Sequence, residues 1–335
     1  MTDLSQNGPG TFVISLDFEL IWGVRDRYSP DGGAYRENLI GARAAVPQML
    51  DLFEEYGVSA TWATVGMLMA DSREEWETFK PDFMPRYADA ALDSYHDPIG
   101  TSESDDPLRF AGNLIEQIRQ RSGQEIASHT YGHYYPLEPG SDRESFAADL
   151  QSAVAIAKSK GFELRSLVFP RNQFNPEFAQ IIADAGFTVC RSNSAGWMHK
   201  EAASDKYFRT DIRAARLIDA YVPLSGNQVI AWNSIPFVGS LCCLPASMFL
   251  RPYSPRLRRL EGLRLKRIAS GIEGAAKSGG IFHLWWHPHN AGAHTDRFMS
   301  FLRKVLDVYA KCRLHHDMQS MTMAQVAERA AEFNS

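Results

Sequence analysis

Four expected strands in this chain each end on a titratable side chain: the apolar, β-rich run 11–16 runs into Asp17, the short strand 124–128 into His129, 166–169 into Pro170-Arg171, and 281–286 into His287. Helical spacing fills stretches between runs of this kind, at 39–56, 108–120, 141–160, 176–185, 257–277 and 296–309. Gly57 and Gly161 stand where two of these helices should stop, and Asp142 stands as a candidate cap. Further strands are expected at 58–65, 188–191 and 229–235. Strand–helix alternation without a Gly-rich phosphate loop predicts an α/β fold, a distorted (β/α)7-type barrel in one domain spanning 10–315. Insertions are expected at 71–107, which is acidic, aromatic and broken by prolines, and at 198–255, where the pattern loosens. Residues 316–335 read as a C-terminal helical tail. In parallel barrels the C-terminal strand ends converge on one mouth, so Asp17, His129, Arg171 and His287 are expected to meet there.

Composition narrows the function classes. A net charge of -5 lacks the basic surplus of a general nucleic-acid binder. The four cysteines include no CxxC pair, and reduced, buried thiols are expected. The N-terminal segment shows no basic stretch followed by an apolar one, and no apolar run approaches the ~18 residues that span a bilayer. A cytoplasmic location without a transmembrane segment is therefore expected. Peripheral attachment to the inner face of the membrane, and a homo-oligomer, stay open.

Two clusters carry chemistry. Ser15-Leu16-Asp17-Phe18-Glu19 places two carboxylates two residues apart, on one face of an extended strand. Close like charges raise one pKa unless a cation sits beside them, and a metal on one carboxylate leaves the other free as a base. His129-Thr130-Tyr131-Gly132-His133 sets two imidazoles four residues apart, which a helical turn or a tight loop can point the same way. Two histidines and one carboxylate leave coordination positions open for water and substrate, as a hydrolytic metal requires.

These segments resemble, in order, the motifs of the NodB-homology polysaccharide deacetylases (carbohydrate esterase family four). The resemblance rests on Ser-Leu-Asp-Phe-Glu, Ala60 to Gly66 (ATWATVG), His-Thr-Tyr-Gly-His, Phe169-Pro170-Arg171-Asn172 and Leu284-Trp285-Trp286-His287, and it spans roughly 12–289. It implies Asp17 as general base, His129 and His133 as metal ligands, Arg171 as the arginine that orients the base, and His287 as general acid, with Leu284 walling the acyl-methyl pocket. Phe18 fills the position where the family's second aspartate stands, so the resemblance places the metal role on Glu19. The fourth motif, 191–197, keeps Trp197 but lacks the aspartate that tunes the acid, with Asn193 and Asp211 as candidate substitutes. The implied cofactor is one divalent ion, zinc first, with cobalt, nickel or manganese as alternatives. The implied reaction removes an N-acetyl group from an amino sugar of surface-polysaccharide biosynthesis, the substrate being free, nucleotide-linked or lipid-linked.

Weaker signals surround these. His289 could touch substrate or back up His287, and Trp22, Trp197, Trp285 and Trp286 lie near motif positions where aromatic faces suit sugar rings. The arginine-rich stretch 251–267 reads as a solvated helix face or as a site for phosphate groups. Two other readings compete: a cyclic-amide or small-molecule amidohydrolase of allantoinase type, with or without metal, and a non-catalytic carbohydrate-binding barrel. Keeping a base and an acid together speaks against the latter.

Overall fold

The computed structural model describes residues 8–194, 196, 198, 200, 202–203 and 209–334. Ten strands form one curled sheet: β1 Thr11–Phe18, β2 Ala60–Thr64, β3 Gln124–Ser128, β4 Ser166–Val168, β5 Val189–Ser192, β6 Phe237–Val238, β7 Leu241–Pro245, β8 Met248–Phe249, β9 Ile281–Trp286 and β10 Gln319–Met321. Their order is β6-β7-β5-β4-β3-β2-β1-β9-β8, with β10 also on β1, and among the described strands only the β6–β7 pair is antiparallel. The helices are α1 Arg36–Tyr56, α2 Arg73–Phe79, α3 Gly112–Arg119, α4 Arg143–Ser159, α5 Ala179–Asp184, α6 Thr210–Asp219, α7 Glu261–Ser278, α8 Thr295–His316 and α9 Met323–Asn334. This is the expected distorted (β/α) barrel, left incomplete as a curled sheet.

All eight residues of β1 are buried, as parallel strands covered on both faces require. Phe12, Ile14, Leu16 and Phe18 point outward into the layer shared with the helices. Val13 points inward, into a second cluster with Val168, Val189 and Ile281, so Ser15 and Asp17 share that inner face. On α1, Leu39, Ala42, Val46, Met49 and Phe53 form the buried stripe, and Gly57 ends the helix at φ 63°. The Asp142 side chain accepts from Ser145 N at 2.8 Å and caps α4.

One segment bridges the two ends of the sheet. β7 pairs with β5 as far as Pro245, which has no N–H to continue the ladder. Ala246 N then donates to Ser192 O at 2.9 Å and Ser247 N to His283 O at 2.8 Å, after which β8 runs beside β9. The strand expected at 229–235 does not form. Ile230 makes a single antiparallel bridge to Ile281, and the chain coils at Trp232–Ser234 beneath the sheet, with β8 already on that edge of β9. The residues read as a tail form β10 and α9, whose Met323, Val326, Ala327 and Ala330 fill the inner cluster from below.

The 71–107 insertion is stitched to the barrel by arginines. Arg25 donates to Asp97 and to the carbonyls of Ala91 (2.6 Å) and Asp93 (2.8 Å), and Arg43 pairs with Glu103 while donating to Pro107 O and Phe110 O at 3.1 Å. All four cysteines are free and buried, and among the described residues no helix is long and apolar enough to cross a membrane.

Candidate active site

At the top of β1 the chain turns sharply. Leu20 takes φ 44° and opens a 3-10 turn, Leu20–Gly23, that sends Leu20, Ile21 and Trp22 into the core and leaves Glu19 over the mouth. Gly23 makes room for it: a Cβ there would lie 2.0 Å from the Glu19 carboxyl carbon. The histidine segment after β3 is a tight loop, with Thr130 at φ 64° and His133 at φ 58°. Asp149 of α4 holds that loop, accepting from Tyr131 N and Gly132 N at 2.8 Å each and from Tyr95 Oη at 2.6 Å. Ser94 donates to Gly132 O from the insertion, which thus buttresses the loop.

Glu19 is the hub. Its Oε2 lies 3.2 Å from His129 Nε2 and 2.9 Å from His133 Nε2, and its Oε1 lies 3.4 Å from His287 Nε2 and 4.0 Å from His289 Nε2. Burial alone would raise its pKa, but His287, His129 and His133 outweigh that and hold it well below the usual carboxylate range. Burial pushes His133 down to about 4, against the pull of Glu19, which keeps its imidazole neutral and able to ligate. His129 Nδ1 faces Val168 O at 2.9 Å, the partner that fixes a ligating tautomer with Nε2 turned to the site. Ligand atoms of Glu19, His129 and His133 fall within 4.8 Å of one another, a set that fits a divalent ion with open positions. Glu19, His287 and His289 form a second such group on the other carboxylate oxygen.

Asp17 stands beside this hub, clamped by Arg191, which donates to its two oxygens at 2.6 and 2.7 Å. Arg191 also donates to Ser15 Oγ (3.0 Å) and Asn172 Oδ1 (2.8 Å), and lies 4.3 Å from the Trp285 ring centre. Burial would raise the Asp17 pKa, yet Arg191 and His129 carry it below its ordinary value. The structure thus moves the orienting arginine. Arg171, expected on Asp17, pairs with Asp26 at 2.5 Å and lies over the Tyr135 ring at 4.6 Å. Arg171 and Asn172 both take positive φ after Pro170, so the turn swings Arg171 across the mouth and Asn172 inward. The one sequence sign of Arg191 was a lone arginine in an apolar strand, Val-Cys-Arg-Ser.

His287 Nε2 lies 3.7 Å from Asp17 Oδ2, its side chain 23% exposed to a cavity of about 460 Å³. His289 is not at the substrate face: it is 4% exposed, stacked under His287 at 4.9 Å, and pushed down to about 3 by burial and by His287. Three other expectations are revised. Trp22 is fully buried and donates to Arg109 O at 3.3 Å. Leu284 points into the outer helix layer, and its neighbour Trp285 lines the cavity instead, a shift of one residue that reverses faces on a strand. Asn193 donates to Asn172 O and Asp211 pairs with Arg209, so neither carboxylate nor amide tunes His287 as the fourth motif would. Trp197 lies outside the described residues. In the arginine stretch, Arg264 and Arg267 are buried, and only some of its charges form a solvated face.

Residues 37–190 match the family model for polysaccharide deacetylases, a segment that holds both loop histidines but neither Asp17 nor His287. No curated protein matches the chain. Among solved structures, a protein described as a polysaccharide deacetylase from Mycobacterium smegmatis aligns with 100% of this chain and 94% of its own at TM-score 0.61 and 15% identity. One described in the same terms from Pseudomonas aeruginosa aligns over 96% and 91% at TM-score 0.56 and 12% identity. The Puue allantoinase aligns over 97% and 90% at TM-score 0.55 and 12% identity. At these identities the likenesses show the fold, and the polysaccharide deacetylase family model matches the 37–190 segment that carries the two loop histidines.

Proposed function

We propose that this chain is a metal-dependent hydrolase that removes the N-acetyl group of an amino sugar presented on an anionic carrier, a nucleotide or a lipid-linked phosphate, during surface-polysaccharide synthesis. The observation that carries the reaction is the spacing of the buried carboxylates: Glu19 between two loop histidines, and Asp17 apart from them on its own arginine. Glu19, His129 and His133 would hold the ion, for which zinc suits the two-nitrogen, one-oxygen set, with cobalt, nickel or manganese as substitutes. Bound there, a divalent cation supplies polarisation of the acyl oxygen and lowers the pKa of nearby water.

The chain's own residues carry the protons. Asp17, kept ionised by Arg191, accepts a proton from the attacking water. As the C–N bond breaks, His287 Nε2, facing both carboxylates from the cavity wall, donates a proton to the leaving amine, giving acetate and a free amino sugar. Trp285 offers its face to the sugar. The carrier reading rests on Arg213, Arg216 and Arg251, which line the cavity beside His287 and supply the charge that phosphate oxygens attract. Acetate release across free, nucleotide-linked and lipid-linked N-acetyl sugars, with zinc, cobalt or nickel added, tests this. Turnover of the anionic substrates is expected to exceed that of the free sugars. Hydrolysis of a cyclic amide by metal-free protein, with no acetate from any sugar, would favour the amidohydrolase reading.

A further inference from the structure

Half of the large apolar side chains that stand exposed among the described residues gather at one corner: Ile218 (51% exposed), Val222 (48%), Leu224 (58%) and Leu263 (47%). Two elements make that corner. The end of α6 and the turn after it lie against the first turns of α7, stitched there from beneath. Arg267 donates to Asp219 O at 3.2 Å and to Ser225 Oγ at 3.1 Å, and Ser270 donates to Asn227 Oδ1 at 2.9 Å. Arg264, buried at 2% exposure, donates to Arg251 O and lies over the Phe301 ring at 3.8 Å. The buried arginines thus fix the corner, and the apolar tips project from a rigid base instead of collapsing onto it.

The rim is basic. Arg256, Arg258 and Arg259, in the 3-10 turn Pro255–Leu260 that leads into α7, are all exposed, and Lys266 follows on α7. Among the described residues, Glu261 is engaged by Arg264 and Asp219 by Arg267. A protein of net charge -5 therefore concentrates uncompensated positive charge around protruding aliphatic tips at a single place. Aliphatic insertion with a basic collar is the chemistry of an anionic lipid surface, where apolar tips enter the acyl boundary and each arginine near the surface adds about 1 kcal/mol. We propose that this corner docks the protein on an anionic bilayer, peripherally. Leu217, Ala220 and Arg251 underlie the corner and also line the active-site cavity, so docking would open the cavity toward the headgroup layer. The inference stands apart from the deacetylase reading, because lipid binding needs no turnover.

Flotation of the full-length chain with phosphatidylcholine vesicles, with and without phosphatidylglycerol, tests it. Wild type is expected to float only with the anionic vesicles and to be released as salt rises. R256E/R258E/R259E is expected to weaken vesicle binding on the order of 100-fold or more, from about 1 kcal/mol for each charge. I218S/L224S is expected to lose the part of binding that resists salt. None of these five residues lines the cavity, so hydrolysis of a soluble substrate and the far-ultraviolet circular dichroism should match wild type in both variants. No flotation of wild type, equal flotation with neutral vesicles, binding unchanged in the triple variant, or a wild-type dimer dissolved by I218S/L224S without any vesicle binding would each overturn the proposal.

Discussion

The two sides of the barrel mouth are built differently. On the β1–β3 side, Glu19, His129 and His133 are at most 4% exposed, and the loop carrying the histidines is pinned by Asp149, Tyr95 and Ser94. On the β5–β9 side, His287 faces a cavity of about 460 Å³ whose walls, from α6 and the segment after β7, mix apolar side chains such as Leu217 and Phe249 with Arg213, Arg216 and Arg251. The closed side gathers the candidate ligand atoms of Glu19, His129 and His133 within 4.8 Å of one another on a braced loop, as ion binding demands. The open side leaves room for a ligand beside His287. It is also where the arginine on Asp17 proves to be Arg191, while Arg171 pairs with Asp26.

The largest expected effect lies on the closed side. Glu19→Gln or His133→Ala should abolish stoichiometric metal binding and reduce kcat/KM on the order of 10³-fold or more, since several kcal/mol of transition-state stabilisation goes with the ion. Elemental analysis beside steady-state kinetics checks both. Next comes the exchange of arginines. Arg191→Lys should lower kcat roughly 10²-fold, because lysine cannot replace a bidentate fork on a buried carboxylate, while Arg171→Lys should change it by less than about fivefold. Comparable losses in the two variants would remove the reassignment.

Smaller effects test the bracing. Asp149→Ala strands the N–H groups of Tyr131 and Gly132, which should cost about 1–3 kcal/mol each and weaken metal binding roughly 10–100-fold. Denaturant melts and metal titration separate these two consequences. Gly23→Ala should displace the Glu19 carboxylate and reduce metal affinity while leaving the unfolding free energy within about 1 kcal/mol of wild type. The smallest effect belongs to the open side: Arg213→Ala should raise KM for a phosphate-bearing substrate a few-fold, roughly 1 kcal/mol, with kcat unchanged.

The contrast also explains what the sequence could reveal. Asp17, Glu19, His129, His133 and His287 were legible because each lies at or just past the end of an expected strand, and strand ends in a parallel barrel share one mouth. Their meeting needed only topology. Arg171 misled because its placement depends on two positive φ values after Pro170, which no periodicity records. Leu284 failed by one residue of strand register, and Trp22 by the turn at Leu20 that folds the chain back into the core. Asp149 escaped notice because it reads as a helix residue, and its bonds to the loop arise only from packing of α4. The arginines of 251–267 look equivalent in sequence, yet α7 buries Arg264 and Arg267, Arg251 lines the cavity, and Arg256, Arg258 and Arg259 stand in solvent.

The central claim is that Glu19, His129 and His133 hold the ion on which hydrolysis depends, with Asp17 beside them as a base. Acetate release by wild type and Glu19→Gln, each stripped with a chelator and then titrated with zinc, tests it most directly. Stripped wild type is expected to be inactive and to regain turnover with one equivalent of zinc, whereas Glu19→Gln stays inactive at every concentration. Undiminished turnover by stripped wild type, or full recovery of Glu19→Gln, would contradict it.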